Sequence, residues 1–188
     1  KLCVSPDPAV RAAAMRALGG STQLSIAAEV TSLLDDKELE PRIAALGALA
    51  KVLDDAKDQS GSKKPPGAEL DPMRAKVLLR LTSAEARERA AALKAALFLG
   101  MHAEINPELI RAARKEPALL EPLASHLKLL DWRRRSFLLD IVVERPSFSE
   151  RKELLEGLLE DAHDQALPLL WRLLDRGTKQ FGVSHTDV

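Results

Sequence analysis

The chain has 188 residues, of which 46% are hydrophobic, 30% charged and only 3% aromatic, with no tyrosine. Its 28 basic and 28 acidic residues give a formal net charge of zero, so it lacks the overall basic excess of proteins that bind nucleic-acid phosphates. The single cysteine, Cys3, excludes an internal disulfide framework, and no stretch approaches the roughly 18 to 20 apolar residues of a membrane span.

Capping and turn signals divide the chain into ten predicted helices, with no convincing strand. Asp7 is a good N-cap with Pro8 at the first helical position, and the Gly19-Gly20 pair ends this helix after Leu18. Apolar residues recur at helical spacing in the segments that follow. The helices are expected at about residues 8–18, 22–34, 38–53, 69–81, 84–99, 107–115, 117–130, 132–144, 149–160 and 163–176.

Two segments lack the apolar spacing of a packed helix. Residues 54–67 read DDAKDQSGSKKPPG, without a large apolar side chain, and predict a flexible inserted loop. Residues 178–188 predict a frayed polar tail. We expect a single domain over 1–188, and because the chain begins at Lys1 we expect it to be part of a longer protein.

A phrase rich in arginine and alanine recurs along these helices. RAAAMRAL at Arg11 returns as RIAALGAL at Arg42 and as RAAALKAA at Arg89, with a weaker echo, RRSFLLDI, at Arg134. The first two copies begin 31 residues apart (42 − 11), and such a period is typical of stacked helical hairpins. The repeat therefore predicts an all-α architecture, but it does not indicate a specific function.

The first copy of the phrase places its apolar side chains on one helix face. These side chains follow the spacing i, i+3, i+4, i+7 and i+8. We expect this face to pack against the next helix, with the alanines allowing a close approach. The residues of the face are Val10, Ala13, Ala14, Ala17 and Leu18.

An acidic residue also precedes each of the first three arginines by four positions. These residues are Asp7, Glu38 and Glu85. Negative charge at a helix start is favourable because of the helix dipole. We expect each arginine to reach the same kind of acidic group in the neighbouring repeat.

These features resemble HEAT repeats, a family of paired helices with Asp-Pro near a helix start, a Val-Arg or Pro-Arg pair, and an alanine-rich helix that ends in Leu-Gly. The match is specific over residues 5–53 and 83–100, although Glu88 departs from it at the apolar position. The resemblance implies an α-α superhelix, a right-handed solenoid of antiparallel helix pairs with a concave binding surface. It also implies a ladder between repeats in which Arg11, Arg42 and Arg89 are structural.

The sequence carries no pattern typical of catalysis or of metal binding. No two of its four histidines are spaced to share a helix face, and it has no HExxH, Gly-rich phosphate loop or GxSxG. We expect no enzyme activity, no catalytic residue, no metal and no cofactor. The histidines are His102, His126, His163 and His185.

One cluster indicates an alternative function. Trp132 is followed by Arg133, Arg134 and Arg135, and these residue types suit base stacking and phosphate contact. HEAT-like folds include a family of alkylpurine DNA glycosylases that use Trp, Asp and basic residues along a concave groove. The neutral charge and low aromatic content favour the simpler interpretation, in which Trp132 packs at a helix start.

The favoured hypothesis is a non-catalytic scaffold that binds another protein, without membrane insertion, and the cytoplasm is the favoured compartment. Nucleic acid is the less favoured partner. The second helix of each pair, at about 22–34, 69–81, 117–130 and 149–160, would line the binding surface. The exposed candidates on these helices are Glu29, Arg74, Arg80, Lys128 and Glu156.

Overall fold

The computed structural model describes residues 2–20, 27–60, 71–105, 107–113 and 115–125, together with the single positions 130, 135, 138 and 171. These ranges hold a short 3-10 turn at Leu2–Val4 and seven α-helices, and they contain no strand, which confirms the all-α prediction for the described part of the chain. The helices are α1 (Pro8–Leu18), α2 (Ala27–Leu33), α3 (Leu39–Ser60), α4 (Asp71–Leu81), α5 (Ala86–Phe98), α6 (Pro107–Ala113) and α7 (Pro117–Ser125).

The chain divides into two compact units, Lys1–Asp131 and Trp132–Val188. All seven helices belong to the first unit, and the single domain expected over 1–188 stays a prediction. The three helices expected over 132–176 and the tail at 178–188 lie outside the described residues, except for three helical positions. These are Arg135, which is half-buried, Leu138, which is buried, and Trp171, which is exposed.

The seven helices form two layers. The first layer consists of α1, α3, α5 and α7, and each of these helices packs on the next one in this order. The second layer consists of α2, α4 and α6, which pack on α3, α5 and α7 respectively, while α2 also touches α4. We expected residues 117–130 in the second layer; this is wrong for α7, because α6, although it has only seven residues, already occupies that place.

The core lies where the layers meet. Ala45, Leu46 and Leu49 of α3 are buried, since α3 has first-layer neighbours on two sides and α2 against it. Leu93 and Leu97 take a similar place in α5. Alanine at the helix contacts and leucine between the layers match the division of roles expected from small and large apolar side chains.

The expected packing face of α1 is wrong in part. Ala12 and Met15 are buried, whereas Ala13 and Ala17 are exposed. The residues 31 positions further on, which are Ala44 and Ala48 of α3, are both buried (13 + 31 and 17 + 31). The two alanines of α3 are more buried than their counterparts in α1 because α3 packs on α1 at one side and on α5 at the other. Among the described helices, α1 has a first-layer partner at one side. Of the remaining expected residues, Ala14 is buried and Val10 and Leu18 are half-buried.

The helix ends follow the capping rules. The Asp7 side chain accepts a hydrogen bond from the backbone N–H of Ala9 at 2.8 Å, which confirms the expected N-cap of α1. At the end of α5, Gly100 has a φ of 71°, a left-handed conformation that glycine adopts without steric cost. The backbone N–H of Met101 reaches back to the carbonyl of Ala96 at 2.9 Å, as in a Schellman motif.

The inserted loop begins later than expected. Helix α3 continues to Ser60, so residues 54–60, which we expected in the loop, are helical. The rest of the expected loop, 61–67, lies outside the described residues. The predicted boundary is too early because it lies at the last large apolar residue. DDAKDQS contains residues such as alanine, lysine and glutamine that favour a helix without an apolar side chain to bury.

Two glycines provide a matched test of the close contact between α1 and α3. A Cβ atom on Gly19 would lie 2.9 Å from the Ala48 Cα, whereas a Cβ on Gly47 would meet nothing within 4 Å. Gly19→Ala should lower the free energy of unfolding by roughly 1–3 kcal/mol, because the added methyl overpacks the contact. Gly47→Ala should raise it by about 0.5–1 kcal/mol, because alanine has the higher helix propensity. Urea denaturation measures both, and a Gly19→Ala variant as stable as the wild type would contradict the close approach.

Candidate functional site

The arginine of the first repeated phrase joins two first-layer helices. Arg11 is 7% exposed, and its Nε donates to Oδ2 of Asp36 at 2.7 Å while its Nη2 donates to Oδ1 at 2.9 Å. Asp36 lies in the turn before α3. A guanidinium that binds a carboxylate through two parallel hydrogen bonds has both a favourable energy and a fixed orientation.

The next two arginines also pair with an acid at the next contact between first-layer helices, Arg42 through two hydrogen bonds and Arg89 through one. Arg42 donates from Nε to Oε1 of Glu88 at 2.6 Å and from Nη2 to Oε2 at 3.3 Å, which joins α3 to α5. Arg89 donates to Glu116, which joins α5 to the residue before α7. The three ion pairs therefore follow the order in which the first-layer helices pack.

Each arginine also binds the turn before its own helix. The Nη1 of Arg11 donates to the carbonyls of Ser5 at 2.7 Å and Pro6 at 3.0 Å, which are six and five positions before it. The other two arginines use the carbonyls at the same two offsets. These are Asp36 and Lys37 for Arg42, and Ser83 and Ala84 for Arg89. We call this set of bonds, made by Arg11, Arg42 and Arg89, the arginine clamp.

The turn residue six positions before each arginine has a second role. In all three repeats its side-chain oxygen accepts the backbone N–H two residues further on, which is the geometry of an Asx or Ser turn. The donors and distances are Asp7 to Ser5 at 3.3 Å, Glu38 to Asp36 at 2.9 Å, and Glu85 to Ser83 at 3.2 Å. The turn is thus held both by its own side chain and by the arginine that binds its carbonyls.

Glu88 is the most buried charged group among the described residues, at 1% exposure. Besides Arg42, it accepts a hydrogen bond from the Ser83 hydroxyl at 2.6 Å, and the Nε of Arg80 lies 3.7 Å away. Burial raises the pKa of Glu88, but the hydrogen bonds from Arg42 and Ser83 and the nearby positive charges hold the pKa below its ordinary value. The hydrogen bond from Arg11 lowers the pKa of Asp36 in the same direction.

The expectation that each arginine reaches an acid of the neighbouring repeat is right, but the acids expected from the sequence are not the ones used. The partners of Arg11 and Arg42 are Asp36 and Glu88 in place of Glu38 and Glu85. The reason lies at the helix starts, where the exposed Asp7, Glu38 and Glu85 follow the turn residue. Asp36, which reaches Arg11, belongs to the turn before α3, and Glu88, which reaches Arg42, lies on the buried side of α5.

A second group of cations holds α4 against α2. Lys76 donates to the carbonyl of Thr31 at 3.0 Å and pairs with Asp35 at 2.6 Å. Arg80 donates from Nε to the carbonyl of Leu34 at 3.2 Å. The last carbonyls of a helix lack partners within that helix, so positive side chains near them are stabilising. These two residues therefore cap the end of α2 and fix α4 beside it.

The structure gives internal contacts to the two described arginines that we expected to bind a partner. Arg80 is engaged at the end of α2, as above. Arg74 donates to Oδ1 of Asp71 at 2.9 Å and to the carbonyl of Leu99 at 3.3 Å, which ties α4 to the end of α5. Glu29 is exposed on α2. The remaining expected residues, Lys128 and Glu156, lie outside the described residues.

The exposed face of α4 carries apolar residues along most of its length. Leu78 is 46% exposed and Leu79 is 60% exposed, and Ala75 and Pro72 continue the face toward the helix start, where the exposed Asp71 also lies on it. The opposite side of the helix is buried through Met73, Val77 and Leu81. The apolar spacing predicts Leu78 on the packing side with Met73, Val77 and Leu81, and this is wrong for Leu78, which is exposed. We call the set Pro72, Ala75, Leu78 and Leu79 the α4 face.

The alternative site cannot be assembled from the described residues. Trp132, Arg133 and Arg134 lie outside them, and Arg135 is a half-buried helical position. Of the histidines, His102 is half-buried in the turn after α5, and His126, His163 and His185 lie outside the described residues. Within the described ranges, no group of three or more His, Cys, Asp or Glu side chains is placed to hold a metal ion.

Comparison with protein-family models, with curated proteins and with solved structures gave no match for this chain. The resemblance to HEAT repeats therefore stays a prediction that depends on the residues quoted above. Over the residues that the structure describes, no helix is long and apolar enough to cross a membrane.

The arginine clamp can be tested against an exposed ion pair between the same two helices. Arg42→Ala should lower the free energy of unfolding by roughly 3 kcal/mol, because it leaves the buried Glu88 carboxylate without its main partner. Arg87 also joins α5 to α3, through Glu40 at 2.7 Å, but both side chains are more than half exposed. Arg87→Ala should therefore cost less than about 1 kcal/mol. Equal losses in urea denaturation would show that burial of the clamp has no energetic effect.

Acid should destabilise the fold through the same carboxylates. The pKa values of Asp35, Asp36 and Glu88 are lower in the folded chain than their ordinary values. Their stabilisation is therefore complete above the ordinary carboxyl range, near pH 4, and is lost as the pH falls through the folded-state values. The melting temperature should fall steeply below about pH 4. The Asp36→Asn/Glu88→Gln variant should melt lower at neutral pH but lose less on acidification, and an unchanged pH slope would contradict this assignment.

Proposed function

We propose that this chain is a non-catalytic protein–protein interaction scaffold, in which the repeated helix pairs form a solenoid and the exposed side of the second layer binds a protein partner. The repetition of the clamp supports the solenoid. Three successive first-layer contacts use the same arginine position and the same two carbonyl offsets. A contact that recurs from one helix pair to the next is what stacked repeats require.

The α4 face is the observation that carries the binding proposal. Single exposed leucines are normal on a protein surface, but Leu78 and Leu79 adjoin Ala75 and Pro72 on one helix face. Their proximity supports a binding role, because large contiguous apolar patches on protein surfaces mark interaction sites. The face belongs to the second layer, which in the solenoid proposed above would line the concave surface.

The tethers of α4 favour binding by a preformed surface. Arg74, Lys76 and Arg80 attach the helix to the ends of α5 and α2, while its buried side packs into the core. A face that is already ordered loses little conformational entropy when a partner binds. The same tethers support a structural role for these cations in place of the partner contacts first expected of Arg74 and Arg80.

The proposal can be tested by exchanging the two leucines for charged residues. The purified chain is used as bait, and the proteins that it retains are compared between the wild type and Leu78→Asp/Leu79→Asp. We expect at least a tenfold loss of a retained protein with the variant. Because both side chains are exposed, the melting temperature should change little.

A control variant with the same change in charge separates a local effect from a general one. Gly47→Asp/Ala118→Asp alters two exposed residues of the first-layer helices α3 and α7, neither of them on α4. It should retain the same proteins as the wild type. The proposal is overturned if Leu78→Asp/Leu79→Asp retains them equally well, or if the wild type retains nothing that depends on folded structure.

A further inference from the structure

We draw no further inference here: the strongest candidate, the exposed stripe of Ala13 and Ala17 on α1, consists of small residues, and nothing in the structure shows what covers it.

Discussion

A buried guanidinium is the constraint on which the first layer depends. Arginine remains charged at any ordinary pH, so placing it between helices is favourable only if its donors find acceptors there. The clamp meets this condition because the donors of one guanidinium bind two different segments. In Arg11, Nη1 donates to the turn before its own helix, while Nε and Nη2 donate to the acidic residue of the next first-layer contact. One side chain thereby fixes a turn, a helix start and a neighbour. The alanines, and the contact of Gly19 with Ala48, allow the backbones to come close enough for the arginine to reach.

The second layer uses positive charge in a related way. Its cations bind carbonyls at the ends of α2 and α5, so basic side chains connect layers and cap helices. This explains how α4, a helix with three basic residues, can expose several apolar side chains on one face. Where the long cationic side chains turn back onto the protein, the short apolar ones beside them are left at the surface.

Much of the fold could be predicted because its signals are local. The N-cap at Asp7, the glycine at the end of α5 and the bonds from each clamp arginine to its own turn all depend on residues close in the chain. The exposure of Ala13 and Ala17 could not be predicted, because it depends on whether a neighbouring helix is present, and the sequence of α1 is the same in either case. The α4 face was missed for another reason: a helical pattern gives the angle of a residue but not the direction in which a long cationic side chain turns. Arg80 and Leu79 are neighbours in sequence, yet only the contacts of Arg80 show which of them faces the solvent.

The acceptors of the clamp tolerate a change of position. Asp36 precedes its helix by three residues, Glu88 lies inside its helix, and Glu116 directly precedes its helix. A longer or shorter carboxylate side chain, starting from a different backbone position, reaches the same fork of donors. Selection on such a contact would act on the position of the carboxylate in space. The sequence position of the acidic residue could then change. Two chains with this clamp could therefore keep the same ion-pair contact between helices when their repeat sequences no longer align.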